Sequence, residues 1–198
     1  MVKRIGADRC AAVLIDVQDF FLSQLEPRAR LRIRGNLRNL ARLLTYFRIP
    51  IVVTLERSVD AKGTLPKEIG KHLSGEHEIF EKDFFDLTKE KKIRDHLGRL
   101  RRNQVIIAGC ETDVCVLQSC LGLLALGYEV FVVDDLLFSS SSDVGAAIVR
   151  MQAEGGVLLS YKSLYYELLE AVEGGRHSDR TITMLGPIPA DLPDFGVQ

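Results

Sequence analysis

Six short apolar runs, each leading into a polar or helical stretch, constrain this 198-residue chain more than any other feature. Residues 11–17 (AAVLIDV), 50–55 (PIVVTL), 78–81, 105–108 (VIIA), 128–133 (YEVFVV) and 157–160 read as strands. The first, second, fourth and fifth are nearly continuous in apolar residues rather than alternating, the pattern of strands covered on both faces. Residues 27–47 carry Ile33, Leu37, Leu40, Leu44 and Phe47 at steps of three and four, with arginines between them, and so predict an amphipathic helix. Residues 88–100 predict a charged helix with Ile93, Leu97 and Leu100 turned inward, and residues 143–154 and 163–172 predict two more helices. Strands alternating with helices predict an α/β fold: a three-layer, doubly wound, mostly parallel six-stranded sheet, order 3-2-1-4-5-6, with helices on both faces.

Within that plan, residues 104–118 (QVIIAGCETDVCVLQ) concentrate the chemistry. The apolar run ends at Gly109, Thr112 or Asp113 offers an N-cap, and a helix follows from Val114. Cys115 then lies in the first turn of a helix at the carboxyl end of a strand. Unpaired backbone N–H groups and the positive end of the helix dipole favour a thiolate there, the reactive form of cysteine. The alternative is a buried cysteine packed as a small hydrophobe.

In open parallel sheets, ligands sit beyond the carboxyl ends of the strands where the strand order reverses. The order 3-2-1-4-5-6 makes the first and fourth strands neighbours at that point, so Asp16 and Cys115 would share one crevice. Asp16 is the leading base for the thiol, and Lys82, at the end of the third strand, would pair with Asp16 and stabilise a thiolate. Backbone N–H groups between Gly109 and Cys115 are placed to form an oxyanion hole. Gln18, Phe21, Glu56 and Thr112 are candidates for lining the crevice and binding substrate, with Phe20 beside them. Residues 56–75, polar and Gly-containing, read as a loop over the site with one helical turn after Pro66. Asp134, Asp135 and Ser139 to Ser142 read as turn and cap residues.

Composition bounds the partners. A formal net charge of -1 lacks the basic excess of a nucleic-acid or acidic-membrane binder, and no apolar run approaches membrane-spanning length. Four cysteines in a chain this long do not make a disulfide framework, so reduced thiols and a cytoplasmic setting are expected. Residues 1–175 read as one domain and residues 176–198 as a Pro- and Gly-containing tail. The helix over residues 113–126 is apolar nearly all round, which predicts a second cover beyond the sheet and hence a homo-oligomer. No strand-to-helix turn carries G-x-G-x-x-G, which argues against a dinucleotide cofactor. A receiver domain would need a phosphorylatable Asp after the third strand, where Asp83 is a poor candidate.

With GCETDVCV, LIDVQDFF, Lys82 and TLPKEI in order, residues 8–172 resemble the isochorismatase-like cysteine hydrolases, closest to the YcaC-like and isochorismatase-domain-containing branch. The resemblance implies an Asp16–Lys82–Cys115 triad, a cis peptide at Cys110–Glu111, and an oxyanion hole from the N–H groups of Glu111 and Cys115. It implies hydrolysis of a small amide through a Cys115 thioester, with no cofactor. Nicotinamidases of this superfamily bind a metal through an Asp-x-His motif and a further His. The corresponding region here reads TLERSVDAKG, so no catalytic metal is expected, and His72, His77, His96 and His177 show no ligand spacing. Isochorismatases proper lack the cysteine, so Cys115 argues against vinyl-ether hydrolysis. A ligand-binding or scaffold protein on the same fold, or a thiol redox protein using Cys110 and Cys115, are the alternatives.

Overall fold

The structure, a computed structural model, describes residues 3–73 and 75–170. The expected domain boundary at residue 175, the tail over 176–198 and His177 lie outside the described residues. In chain order the elements are β1 (Cys10–Ile15), α1 (Asp19–Ser23), α2 (Pro27–Tyr46), β2 (Ile51–Glu56), α3 (Val59–Lys62), α4 (Lys67–Gly70) and β3 (His77–Lys82). There follow α5 (Lys91–Leu100), β4 (Gln104–Gly109), α6 (Leu117–Ala125), β5 (Glu129–Leu137), α7 (Gly145–Ala153), β6 (Val157–Leu159) and α8 (Tyr161–Leu169). The six strands form one all-parallel sheet in the order β3-β2-β1-β4-β5-β6, as the alternation of elements predicts.

The pleat sorts successive side chains to opposite faces, and the core divides accordingly. Cys10, Ala12 and Leu14 of β1 pack with Leu37, Leu40 and Leu44 of α2 and with Leu164 of α8. Ala11, Val13 and Ile15 face the other way, against Ile93 and Leu97 of α5, Leu123 of α6 and Met151 of α7. Every residue of β1 and β4 is buried, which accounts for their unbroken apolar sequences. The edge strand β3 is exposed over most of its length and closes with the buried Lys82.

Two elements differ from expectation. β5 runs on past Val133 to Leu137, through the exposed Asp134 and Asp135, after a register shift against β4 between Ile107 and Gly109. The Asp135 carboxylate accepts from the Tyr161 N–H at 2.7 Å, so it caps α8 from within a strand rather than sitting in a turn. The connection over residues 57–76 is not a free loop: it holds α3 and α4 and buries Leu65, Ile69 and Leu73 in the core. His96, expected at the surface, is buried on α5 with its ring 5.3 Å from that of Phe80. On α6, Leu121 and Leu124 are half-buried and Leu126 just beyond it is exposed, so part of its apolar surface has no cover among the described residues. No helix among the described residues is long and apolar enough to cross a membrane.

Candidate active site

Four strand ends converge beyond the sheet. β1 leads into Asp16, whose backbone turns into the left-handed region (φ 49°) while its N–H donates to the Thr54 carbonyl at 3.1 Å. β2 ends at Glu56 and β3 at Lys82, neighbours in the parallel register. β4 ends at Gly109, and here glycine is required. A Cβ would stand 2.0 Å from the Ile15 carbonyl oxygen, and φ is +123°. The Cys110–Glu111 peptide is cis, as is Arg57–Ser58. Cys110 Sγ donates to the Asp16 carbonyl at 3.0 Å, which ties the end of β1 to the turn after β4.

Cys115 lies in a π-helical turn, Thr112–Val116, that runs directly into α6. Neither Thr112 nor Asp113 caps it. The N-cap position is Glu111, the Thr112 hydroxyl donates to the Phe138 carbonyl at 3.0 Å, and the Asp113 carboxylate accepts from Ser139 and Ser141 at 2.6 and 2.7 Å. These bonds fasten the Cys115 turn to the end of β5. The Ser139 to Ser142 loop therefore holds this helix start in place.

The side chains of Asp16, Lys82 and Cys115 meet. Lys82 Nζ is 2.7 Å from Asp16 Oδ2 and 3.5 Å from Cys115 Sγ, and neither Asp16 nor Lys82 has exposed surface. Asp16 Oδ1 accepts from the Thr54 hydroxyl at 2.8 Å. Glu56 joins them: the Cys115 thiol donates to Glu56 Oε2 at 3.2 Å, and Lys82 Nζ lies 3.9 Å from the same oxygen. Lys62, from α3, contacts Glu56 Oε1 directly and donates to the Arg57 carbonyl at 2.7 Å. Its ammonium stands 5.8 Å from the centre of the Phe21 ring.

Electrostatics follow from burial. Loss of water pushes the Asp16 carboxyl up, against the pull of Lys82. Burial works to lower the Lys82 ammonium, but Asp16 and the Cys115 sulfur raise it overall, so it stays charged. Burial and then the Asp16 carboxylate push the Cys115 thiol up, outweighing Lys82. The resting sulfur is therefore a thiol, not the thiolate that its place at a helix start suggests. Burial opposes the charge on Glu56 as well, yet Lys62, the thiol and Lys82 together hold that carboxyl below its ordinary range.

Oxygen and sulfur atoms of Asp16, Glu56 and Cys115 lie within 4.8 Å of one another, a donor set that by itself suits a cation. The Lys82 ammonium contacts all three residues and already supplies the positive charge. The other crevice candidates divide. Gln18 is buried and both ends of its amide are engaged, donating to the Glu56 and Gly63 carbonyls at 3.2 and 2.8 Å and accepting from the Glu56 N–H at 2.8 Å. Phe21 is buried beneath Lys62, while Phe20 is exposed. Sequence reasoning missed Lys62 altogether. The only sequence signal for it is a lysine six residues beyond a strand-end glutamate, which is too common to single out.

A doubly wound parallel sheet with an ionisable cluster at its strand ends defines an α/β protein of the kind that carries enzyme sites. Residues 10–163 match the Isochorismatase domain, and the chain belongs to the isochorismatase family, a family of hydrolases. Isochorismatase family protein 2A of Dictyostelium discoideum is 29% identical over 180 residues, 86% of this chain and 88% of that one. Among solved structures, the MAR1 ribonuclease of Caenorhabditis elegans is 26% identical with a TM-score of 0.84, covering 99% of this chain and 97% of that one. YcaC from Pseudomonas aeruginosa, solved with hexane-2,5-diol and covalent acrylamide, is 27% identical with a TM-score of 0.79, covering 86% and 85% of the two chains.

Proposed function

We propose that this chain is a metal-independent cysteine hydrolase that cleaves the C–N bond of a small amide through a thioester on Cys115. The observation that carries this reading is the buried contact set of Asp16, Lys82 and Cys115 at the carboxyl ends of two strands and the turn after a third. Asp16 takes the thiol proton as Sγ bonds to the substrate carbonyl carbon. Lys82 keeps its charge throughout and stabilises first the carboxylate and then the forming thiolate. The backbone N–H groups of Glu111 and Cys115 receive the developing oxyanion, and the Glu111 N–H has no backbone acceptor among the described residues. As the C–N bond breaks, Asp16 returns the proton to the leaving nitrogen. It then takes a proton from water, whose oxygen attacks the thioester carbonyl, and as the C–S bond breaks Asp16 gives that proton to the departing Cys115 sulfur.

Phe21 and Glu56 border the site and would contact the substrate, together with Gln18 and Thr112 through the backbone they position. The apolar residues Leu121, Leu124 and Leu126 support self-association, and sizing that returned a monomer at micromolar concentration would contradict it. Four free cysteines, all buried, support a reducing, cytoplasmic setting. The test is ammonia release from a panel of small primary amides, with single-stranded RNA as a contrasting arm. Turnover of an amide by the wild type and none by Cys115→Ala or Asp16→Asn supports the reading. RNA cleavage that survives Cys115→Ala, with no amide turned over, overturns it.

A further inference from the structure

The thiol hydrogen of Cys115 has two carboxylates within reach, and they are not equivalent. Both oxygens of Asp16 are engaged, Oδ1 by the Thr54 hydroxyl at 2.8 Å and Oδ2 by Lys82 at 2.7 Å. On Glu56, Lys62 occupies Oε1, and Oε2 is left facing the sulfur at 3.2 Å, with Lys82 farther off at 3.9 Å. We propose that Glu56 is a fourth working member of this cluster, holding the Cys115 thiol hydrogen in the resting site and keeping it off Asp16 until a substrate enters. The role of this hold in turnover rests on the cysteine-hydrolase reading above; the hold itself does not.

The chain builds this contact deliberately from both sides. Gln18 accepts from the Glu56 N–H and donates to the carbonyls of Glu56 and Gly63, so one buried amide fixes both ends of the segment that carries α3. Within that segment the Lys62 N–H donates to the Ser58 carbonyl at 3.0 Å and its ammonium to the Arg57 carbonyl at 2.7 Å. Lys62 is thereby brought back onto Glu56 and sets which carboxylate oxygen remains for the sulfur. The backbone of Glu56 is held by Gln18 whatever its side chain, so the carboxylate is free to be altered without loosening β2.

The charged and titratable groups facing the sulfur are Asp16 from β1, Glu56 from β2, Lys82 from β3 and Cys110 from the turn after β4, with Lys62 behind Glu56. An anion beside a sulfur disfavours its ionisation, so two carboxylates against one ammonium keep the thiol protonated. During reaction the S–H bond rotates about Cβ–Sγ from Glu56 to Asp16. The proton is transferred only then, to Asp16, while Glu56 stays ionised.

Acrylamide tests this without a substrate. It adds through its terminal carbon to the sulfur, the thiol proton ends on the neighbouring carbon, and peptide mapping assigns the adduct to Cys115. Rates measured from pH 6 to pH 10 report the relative thiolate fraction of each variant, and so the difference in thiol pKa between them. Glu56→Gln removes the anion, and the apparent pKa is expected to fall by about one unit, making alkylation at pH 7 about tenfold faster. Glu56→Asp, which keeps the charge but shortens its reach, is expected to fall between the two, and it keeps the test readable should the glutamine variant fail to fold. Equal rates in folded variants, including no reaction in any, or slower alkylation in either, overturn the proposal. An accelerated sulfur in a protein that turns over no amide leaves this inference standing and removes the hydrolase reading.

Discussion

At the scale of single residues, Lys82 ties the electrostatics of the site together. Its ammonium has no exposed surface and contacts an equally buried Asp16 carboxylate at 2.7 Å, with the Cys115 sulfur at 3.5 Å. Removing one partner of a buried pair leaves an uncompensated charge, at a cost of about 3–5 kcal/mol. Lys82→Met is therefore expected to lower the unfolding free energy by that order in urea titrations. The loss should be smaller at pH 5 than at pH 8, because protonation of the orphaned Asp16 relieves it. Equal stability of the two proteins would mean that the pair is not buried as described. Asp16 and Cys115 were readable from sequence because each closes or follows an apolar strand, and topology alone then makes them neighbours. The protonation of the thiol was not readable, since it depends on burial and on carboxylates brought from residues 16 and 56.

At the scale of elements, the site depends on how closely β1 and β4 approach at their carboxyl ends. Gly109 lies against the Ile15 carbonyl, where a Cβ would meet backbone at 2.0 Å, and its φ of +123° is one that other residues rarely adopt. Gly109→Ala is expected to cost at least about 3 kcal/mol of stability and to displace the Cys110–Cys115 turn. Thermal unfolding measures the first, and acrylamide labelling of Cys115 reports the second. A variant with wild-type stability would contradict this packing. The strands with continuous apolar runs and the helix α2 with its clean period declared themselves. α1 did not, because five residues carry too little periodicity to read. The continuation of β5 was hidden by Asp134 and Asp135, which look like a turn until the bulge against β4 turns them outward. The Glu56–Lys62 contact was hidden because it depends on the fold of the short α3 segment rather than on any spacing in the chain.

At the scale of the whole molecule, acid stability follows from the direction of several shifts. Glu56, Glu68 and Asp113 are each held below the ordinary carboxylate range: burial opposes their charge, but Lys62 for Glu56, its own backbone N–H and Arg34 for Glu68, and Ser139 and Ser141 for Asp113 outweigh it. Groups depressed in the folded state contribute stability above their unfolded values and lose it as pH falls through the folded ones. Asp16 and Asp135 work in the opposite sense, since burial raises both and protonation relieves the burial of their charge. With Asp95 also held low by Lys91, four depressed carboxyls against two raised among the described residues predict a thermal midpoint that is flat from pH 7 to about pH 5 and falls below about pH 4. A midpoint that rose on acidification through that window would mean that the raised carboxyls, Asp16 and Asp135, dominate.

The central claim is that Cys115 becomes acylated by a small amide. Mass spectrometry of the intact protein, quenched in acid during incubation with a mixed panel of small primary amides, tests it directly. The predicted result is a mass increase equal to one acyl group, mapped to Cys115, accompanied by ammonia and absent from Cys115→Ala. No adduct together with no turnover across the panel, or an acyl group carried by Cys10, Cys110 or Cys120 instead, would contradict it.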